Sequence, residues 1–397
     1  MSPEEIIAAL PHGARVLVQG AAGESPLFAE AIGQAGRADL HVTGVFLPGV
    51  NPHTYGAERG TRVTTFFLTP QLKAGAAELL PLGYTDVRAY LRAQRFDACI
   101  TMLAPPDRSG ACSFGPAVDF LADLWPQIPM RIAHLNPSTP RTHGHPGIPR
   151  GALTHIVEAD APLPTAPPER EDEISRGVAA HVAALVPDGA TLQAGIGKLP
   201  GACVRALSGK RNLRIHSGMI GDWALDLLEA GALADAPVIT GLALGTARLY
   251  PELSSARFEF RPASHTHDPL AMRDLKSFVT LNSAFEVDLF GQAYSEATAD
   301  GPASGPGGAL DFARGAKLAG GLRIIALPAA AKGASRIVAP TDAHGPVSLS
   351  RFDIDVVVTE HGAADLRGLT HTARAQRLIA IAAPEHRAAL AAFMTLD

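Results

Sequence analysis

Pro187-Asp188-Gly189-Ala190-Thr191-Leu192-Gln193-Ala194-Gly195-Ile196-Gly197 places a glycine turn before a short apolar strand and a glycine exit after it. Asp172 to Leu185, upstream, reads as a helix with acidic residues at its start, and helix-forming residues resume beyond Pro200. The chain opens the same way. Pro11-His12-Gly13-Ala14 precedes the strand Arg15-Val16-Leu17-Val18, and Gly20 to Gly23 closes it. Two such openings suggest duplication of one open-sheet unit.

Outward from these two points, strand and helix alternate in the βα rhythm. Arg15 to Val18 leads to a helix over Pro26 to Ala35, and Ala98-Cys99-Ile100-Thr101-Met102-Leu103 leads to one over Pro116 to Leu124. Leu322 to Leu327 and Ile354 to Thr359 add buried strands, and Pro384 to Phe393 reads as a helical tail. The proline-dense stretch Ala161 to Arg170 has neither period and reads as an extended linker. Two α/β domains are therefore expected, 1–165 and 166–397, which agrees with a length of 397 residues.

Hydrophobic residues at 47% and charged residues at 18% suit two well-buried cores and exclude a disordered or coiled-coil chain. The net charge of -5 comes from 34 basic and 39 acidic residues without long runs, so no nucleic-acid or anionic-membrane surface is expected. Cys99, Cys112 and Cys203 fit neither a disulfide framework nor a metal motif, and none has an activating neighbour in sequence. The acidic start Met1-Ser2-Pro3-Glu4-Glu5 lacks the features of a secretory signal, and no apolar run has the roughly 20 residues of a membrane span. A cytoplasmic location is expected.

Three glycine-rich places can carry chemistry. Gly195-Ile196-Gly197 leaves a strand ahead of a helix, so its N–H groups can face an anion or a developing oxyanion; a plain strand-to-helix turn has the same sequence. Ser304-Gly305-Pro306-Gly307-Gly308 holds more glycine than a turn needs, which suits close approach of a ligand as well as a flexible loop. Lys332 and Arg336, in Ala331-Lys-Gly-Ala-Ser-Arg336, follow a strand end where a phosphate can use both charges.

Together these segments resemble the acetyl-CoA hydrolase/transferase family, which includes 4-hydroxybutyrate CoA-transferase. The resemblance runs through Ser113 to Phe120, Asn136 to Gly144, Leu192 to Gly197, Asn282-Ser-Ala-Phe-Glu-Val-Asp-Leu-Phe-Gly-Gln292, Ser304 to Gly315, Ala331 to Ile337 and Val358-Thr-Glu-His-Gly362. It implies two similar open-sheet α/β domains of the CoA-transferase type, shared with certain sugar-phosphate isomerases, and acyl-CoA and a small carboxylate as substrates. It further implies that Gly195, Ile196, Gly197, Gly307 and Gly308 hold the thioester oxygen, that Asn282 contacts substrate and that Lys332 binds CoA; Gly305, from the same glycine-rich loop, and Arg336, beside Lys332, are further candidates for binding substrate and CoA. Coenzyme A would be a substrate, with no permanently bound cofactor and no metal. A homodimer is expected from the resemblance and from the commonness of twofold assemblies.

One departure bears on mechanism. Relatives carry a nucleophilic glutamate in His-Thr-Glu-Met at the end of the strand after the Gly-Ile-Gly helix; here the place reads His216-Ser217-Gly218-Met219. Glycine can form neither the acyl anhydride nor the enzyme thioester that such a glutamate forms. Glu286 or Glu58 can replace it; His216 can serve as base for hydrolysis; or the protein binds acyl-CoA without turnover. His265 and His267 read as solvent or loop histidines, and Trp125 and Trp223 as packed aromatics.

Overall fold

The apolar run that opens the chain forms the strand Arg15–Val18 (β1), buried at its last three residues. In the computed structural model, residues 1–75, 77–168, 170–195 and 197–394 are described. They divide into two units. The first holds Met1–Pro168, Gly218–Asp222 and Pro237–Thr266; the second holds Glu169–Ser217, Trp223–Ala236 and His267–Asp397.

In the first unit β1 is joined by His41–Gly44 (β2), Arg62–Thr65 (β3), Glu78–Leu79 (β4), Ala98–Leu103 (β5), Met130–Leu135 (β6) and His155–Glu158 (β7). Their order is β4-β3-β2-β1-β5-β6-β7, with every pairing parallel. A parallel sheet is covered on both faces, which is why all six residues of β5 are buried. The order reverses direction at β1, between β2 and β5. Such a reversal opens a crevice at the carboxyl ends of the strands, where ligands of open α/β sheets sit. The helix Pro26–Ala35 starts on Ser25, whose hydroxyl accepts the Phe28 N–H, and ends at Gly36 with φ +56°.

Two expectations for this unit need amendment. The helix predicted over Pro116 to Leu124 is confined to Leu121–Leu124. Ahead of it the backbone bonds elsewhere: Val118 N–H donates to the Gly241 carbonyl, and Asp119 sits at φ +29°. Tertiary pairing has taken the amides that a helix would use. The proline-dense stretch is extended but tied down, with Ala166 N–H donating to Gly245 O, Asn136 Nδ2 to Ala161 O and Tyr250 OH to Pro164 O.

The second unit repeats the plan. The helix Glu173–Leu185 is capped by Asp172, which accepts the Ser175 N–H. It leads to Thr191–Ala194 (β8), the helix Lys198–Arg205 and Arg214–Ile220 (β9), from which residues 218–220 are counted with the first unit. Phe278–Ser283 (β10), Leu322–Ala326 (β11), Val356–Thr359 (β12) and Gly362–Asp365 (β13) follow. The order β9-β8-β10-β11-β12-β13 is parallel except for the final pair. Here the reversal falls at β8, between β9 and β10. A small side sheet pairs Glu286–Asp288 with Ala293–Tyr294 and Ile337–Val338. The predicted tail is a 3-10 turn, Pro384–His386, running into the helix Arg387–Phe393.

The three cysteines are buried and free. Burial pushes the Cys99 and Cys203 thiols up to about 12, which leaves them without thiolate character. Among the described residues, no helix is long and apolar enough to cross a membrane.

Candidate active site

Asn282 stands near the end of β10 and Gln193 near the end of β8, on neighbouring strands at the reversal of the second sheet. Their amides pair reciprocally: Gln193 Nε2 donates to Asn282 Oδ1 at 3.2 Å, and Asn282 Nδ2 to Gln193 Oε1 at 3.1 Å. Both side chains are buried. The pair fixes the Asn282 amide plane at the mouth of the crevice and still leaves each NH2 group one further hydrogen to give. Beside it, Ser283 Oγ is buried with no hydrogen-bond partner among the described residues.

Gly195 leaves β8 directly over Asn282: a Cβ there would come within 3.1 Å of Asn282 Oδ1, tighter than nearly all real contacts. Its own N–H donates to the Leu281 carbonyl at 2.8 Å, so it continues the strand ladder. Gly197, exposed and at φ +103°, then begins the next helix with open space around it. Ile196 lies outside the described residues. On β9, Ser217 Oγ donates to Ala194 O, which ties the two strand ends together.

The second glycine loop is fixed by a histidine. Gly308 packs so closely on His267 that a Cβ would lie 2.6 Å from its Cδ2 and 2.7 Å from its Nε2. Gly307 takes φ +63°, and Gly305 is buried. The helix Ala309–Leu318 starts on Gly308 without a side-chain cap, so no capping oxygen meets its first amides. His267 is 6% exposed and lies tilted against Phe312, with ring centroids 4.7 Å apart. The expectation of a solvent or loop histidine holds for exposed His265 and fails for His267. Burial first, and then His216 nearby, depress His267 to about 3, which keeps the ring neutral. His216 itself is buried on β9, with its ring 6.3 Å from that of Phe278.

Glu286 and Arg336 come together, as neither their spacing nor their motifs required. The buried Glu286 carboxylate accepts the His344 N–H at 2.9 Å, faces His344 Nδ1 at 3.0 Å and lies 3.8 Å from Arg336 Nη1. Both carboxylate oxygens thus have partners. Lys332 stands exposed at the tip of a hairpin between Ala330–Ala331 and Ala334–Ser335. Its φ of +52° and that of Gly333, +78°, give the left-handed pair that two-residue hairpin turns require.

Glu58 and Gly218 belong to the first unit. Glu58 is exposed on the single turn Ala57–Arg59, 3.8 Å from Arg59, and the Thr54 hydroxyl holds its carboxyl below the usual range. Gly218 is buried, near Gly241. Sequence reasoning missed Gln193, His267 and His344. Gln193 had a signal, a polar residue inside an apolar strand; the other two come from distant loops. Among the described residues, no group of three or more His, Cys, Asp or Glu could hold a metal ion.

An open parallel α/β sheet with two glycine loops and a fixed amide pair at its reversal defines a class of protein that meets its ligand at the carboxyl ends of the strands. The chain belongs to the acetyl-CoA hydrolase/transferase family. The family model for the acetyl-CoA hydrolase/transferase C-terminal domain matches residues 245–394. The 4-hydroxybutyrate coenzyme A transferase of Clostridium kluyveri is 32% identical over 410 residues, 98% of this chain and 96% of that protein. Among solved structures, RipA from Yersinia pestis has a TM-score of 0.92 at 27% identity, covering 100% of this chain and 97% of that one. The 4-hydroxybutyrate CoA-transferase of Porphyromonas gingivalis has a TM-score of 0.84 at 28% identity, with 100% and 97% covered.

Proposed function

We propose that this protein moves coenzyme A between an acyl-CoA and a small carboxylate. The observation that carries the reading is the 32% identity to a CoA transferase along nearly the whole of both chains. The second sheet supplies suitable chemistry. A thioester carbonyl under attack gathers charge on oxygen, and fixed N–H donors stabilise it without reorganising. In this reading the amides of Gly197, Gly307 and Gly308 supply such donors, Asn282 positions the acyl group, and Lys332 and Arg336 meet the CoA phosphates. Gly305 shapes the second loop, and Gly195 holds Asn282 in place.

In this reading Gly218 stands at the place of the family's nucleophile, so attack comes from the acceptor itself. The acceptor carboxylate adds to the thioester carbonyl and expels CoA thiolate, giving a mixed anhydride. The thiolate then attacks the acceptor's carbonyl and releases the donor's acid, so every atom is accounted for. Hydrolysis is the second reading, favoured by the fact that Glu286 already has partners for both oxygens. A cytoplasmic homodimer without a permanent cofactor completes the proposal.

The test is to incubate purified protein with acetyl-CoA, with and without a second carboxylate, and follow free CoA and new thioesters. New thioester only with the acceptor present supports transfer, and CoA release alone supports hydrolysis. Calorimetry that detects no CoA binding at millimolar ligand overturns both.

A further inference from the structure

The first unit carries a titratable cluster that the site above does not use. Glu24 follows the exit of β1, just before the helix Pro26–Ala35, and its side chain is only 2% exposed. Oε1 accepts the Tyr55 hydroxyl at 2.8 Å, and Oε2 faces His53 Nδ1 at 3.1 Å. A carboxylate only accepts, so in the neutral ring the proton sits on Nδ1 and the lone pair on Nε2. His53 is 29% exposed, and its Nε2 has no hydrogen bond to the described residues.

The surroundings hold this geometry. A Cβ on Gly20 would lie 1.8 Å from the Val45 carbonyl oxygen, so only glycine lets the exits of β1 and β2 touch. Asn51 staples them, accepting from Ala21 N–H and Leu47 N–H and donating to Ala21 O. Tyr55 is buried at φ +54°, its ring 4.9 Å from that of Phe46. A left-handed tyrosine is uncommon and persists only where its surroundings demand it. The cluster lies at the carboxyl edge of the sheet, at its reversal, where open α/β sheets take their ligands.

We propose that His53, oriented by Glu24 and Tyr55, is the general base that activates water when an acyl-CoA thioester is hydrolysed. The inference rests on the acyl-CoA reading above. Nε2 takes a proton as the water oxygen bonds to the thioester carbon; the carbon–sulfur bond then breaks, with its electron pair on sulfur. The Nε2 proton passes to the thiolate, yielding a carboxylic acid, CoA thiol and the neutral ring. Glu24 and Tyr55 act as positioning residues. The Glu24 carboxylate raises His53 above its ordinary value against the effect of burial, with Glu30 adding a smaller contribution.

The experiment follows thiol release from acetyl-CoA, without an acceptor, from pH 5.5 to 9 in the full chain. His53→Gln should lower the plateau rate by about 100-fold or more. In the wild type the rate rises with pH through the His53 titration, and Glu24→Gln should move that midpoint to lower pH, a shift that a merely structural role would not cause. Tyr55→Phe should lower the rate less than His53→Gln while keeping the unfolding midpoint, which covers the case of a misfolded His53 variant. Wild-type protein that binds CoA but releases no thiol without an acceptor, or folded His53→Gln with wild-type rates, overturns this inference alone. Absence of CoA binding by calorimetry overturns the acyl-CoA reading and this inference with it.

Discussion

Gly308 shows how a single missing methyl positions a loop. Alanine there would press into the His267 ring at 2.6–2.7 Å, and relief requires the ring or the helix start to move. Gly308→Ala should therefore destabilise the second unit by about 1–3 kcal/mol in urea unfolding. The double variant Gly308→Ala/His267→Ala should recover part of that loss, because the two changes share one contact. If Gly218 stands at the nucleophile's place, Gly218→Glu should raise transfer to a second carboxylate and yield a CoA adduct visible by mass spectrometry. An unchanged transfer rate in a variant that still binds CoA would count against Gly218 as the nucleophile's place.

At the scale of elements, the Lys332 hairpin separates charge from conformation. Asparagine tolerates the left-handed region that Lys332 occupies, whereas alanine does not favour it. If the charge meets a CoA phosphate, Lys332→Asn and Lys332→Ala should weaken CoA binding alike, by about tenfold or more in calorimetry. A loss confined to Lys332→Ala would point to the turn instead. The helix His371–Ile381 offers a simpler case: Thr370 caps it by accepting the Ala373 N–H at 3.2 Å. Thr370→Ala should cost about 1 kcal/mol of stability in urea unfolding.

For the molecule as a whole, buried ionisable groups set opposing slopes of stability against pH. Burial, and then Asp123, push Asp119 up to about 7 from 3.8, so between those values the folded state binds more protons than the unfolded one. Stability from this group falls as pH rises across that window and levels off above it. Asp119→Asn should therefore stabilise the protein progressively above about pH 4, on the order of 4 kcal/mol once pH exceeds 7, and leave it unchanged below. His267 works the other way: held to about 3 against 6.5, it makes the unfolded state the better proton binder, so stability rises with pH between those values. Unfolding midpoints of the wild type and Asp119→Asn across pH 3.5–8.5 give the check.

Periodicity and turn chemistry, which are local, determined much of this protein from sequence. Strands such as Arg15–Val18 and Thr191–Ala194, and the helix Pro26–Ala35, fall where apolar runs and capping residues place them. Ordered motifs determined the family as well. Tertiary structure decided what depends on distant partners: residues 116–120 lose their predicted helix to pairing with Gly241, and a loop histidine becomes the buried wall behind Gly308. It also joined Glu24 to His53, 29 positions apart, and Glu286 to His344, 58 apart. Backbone preferences act within a few residues, whereas the burial and neighbours that set a side chain's chemistry come from wherever the chain returns.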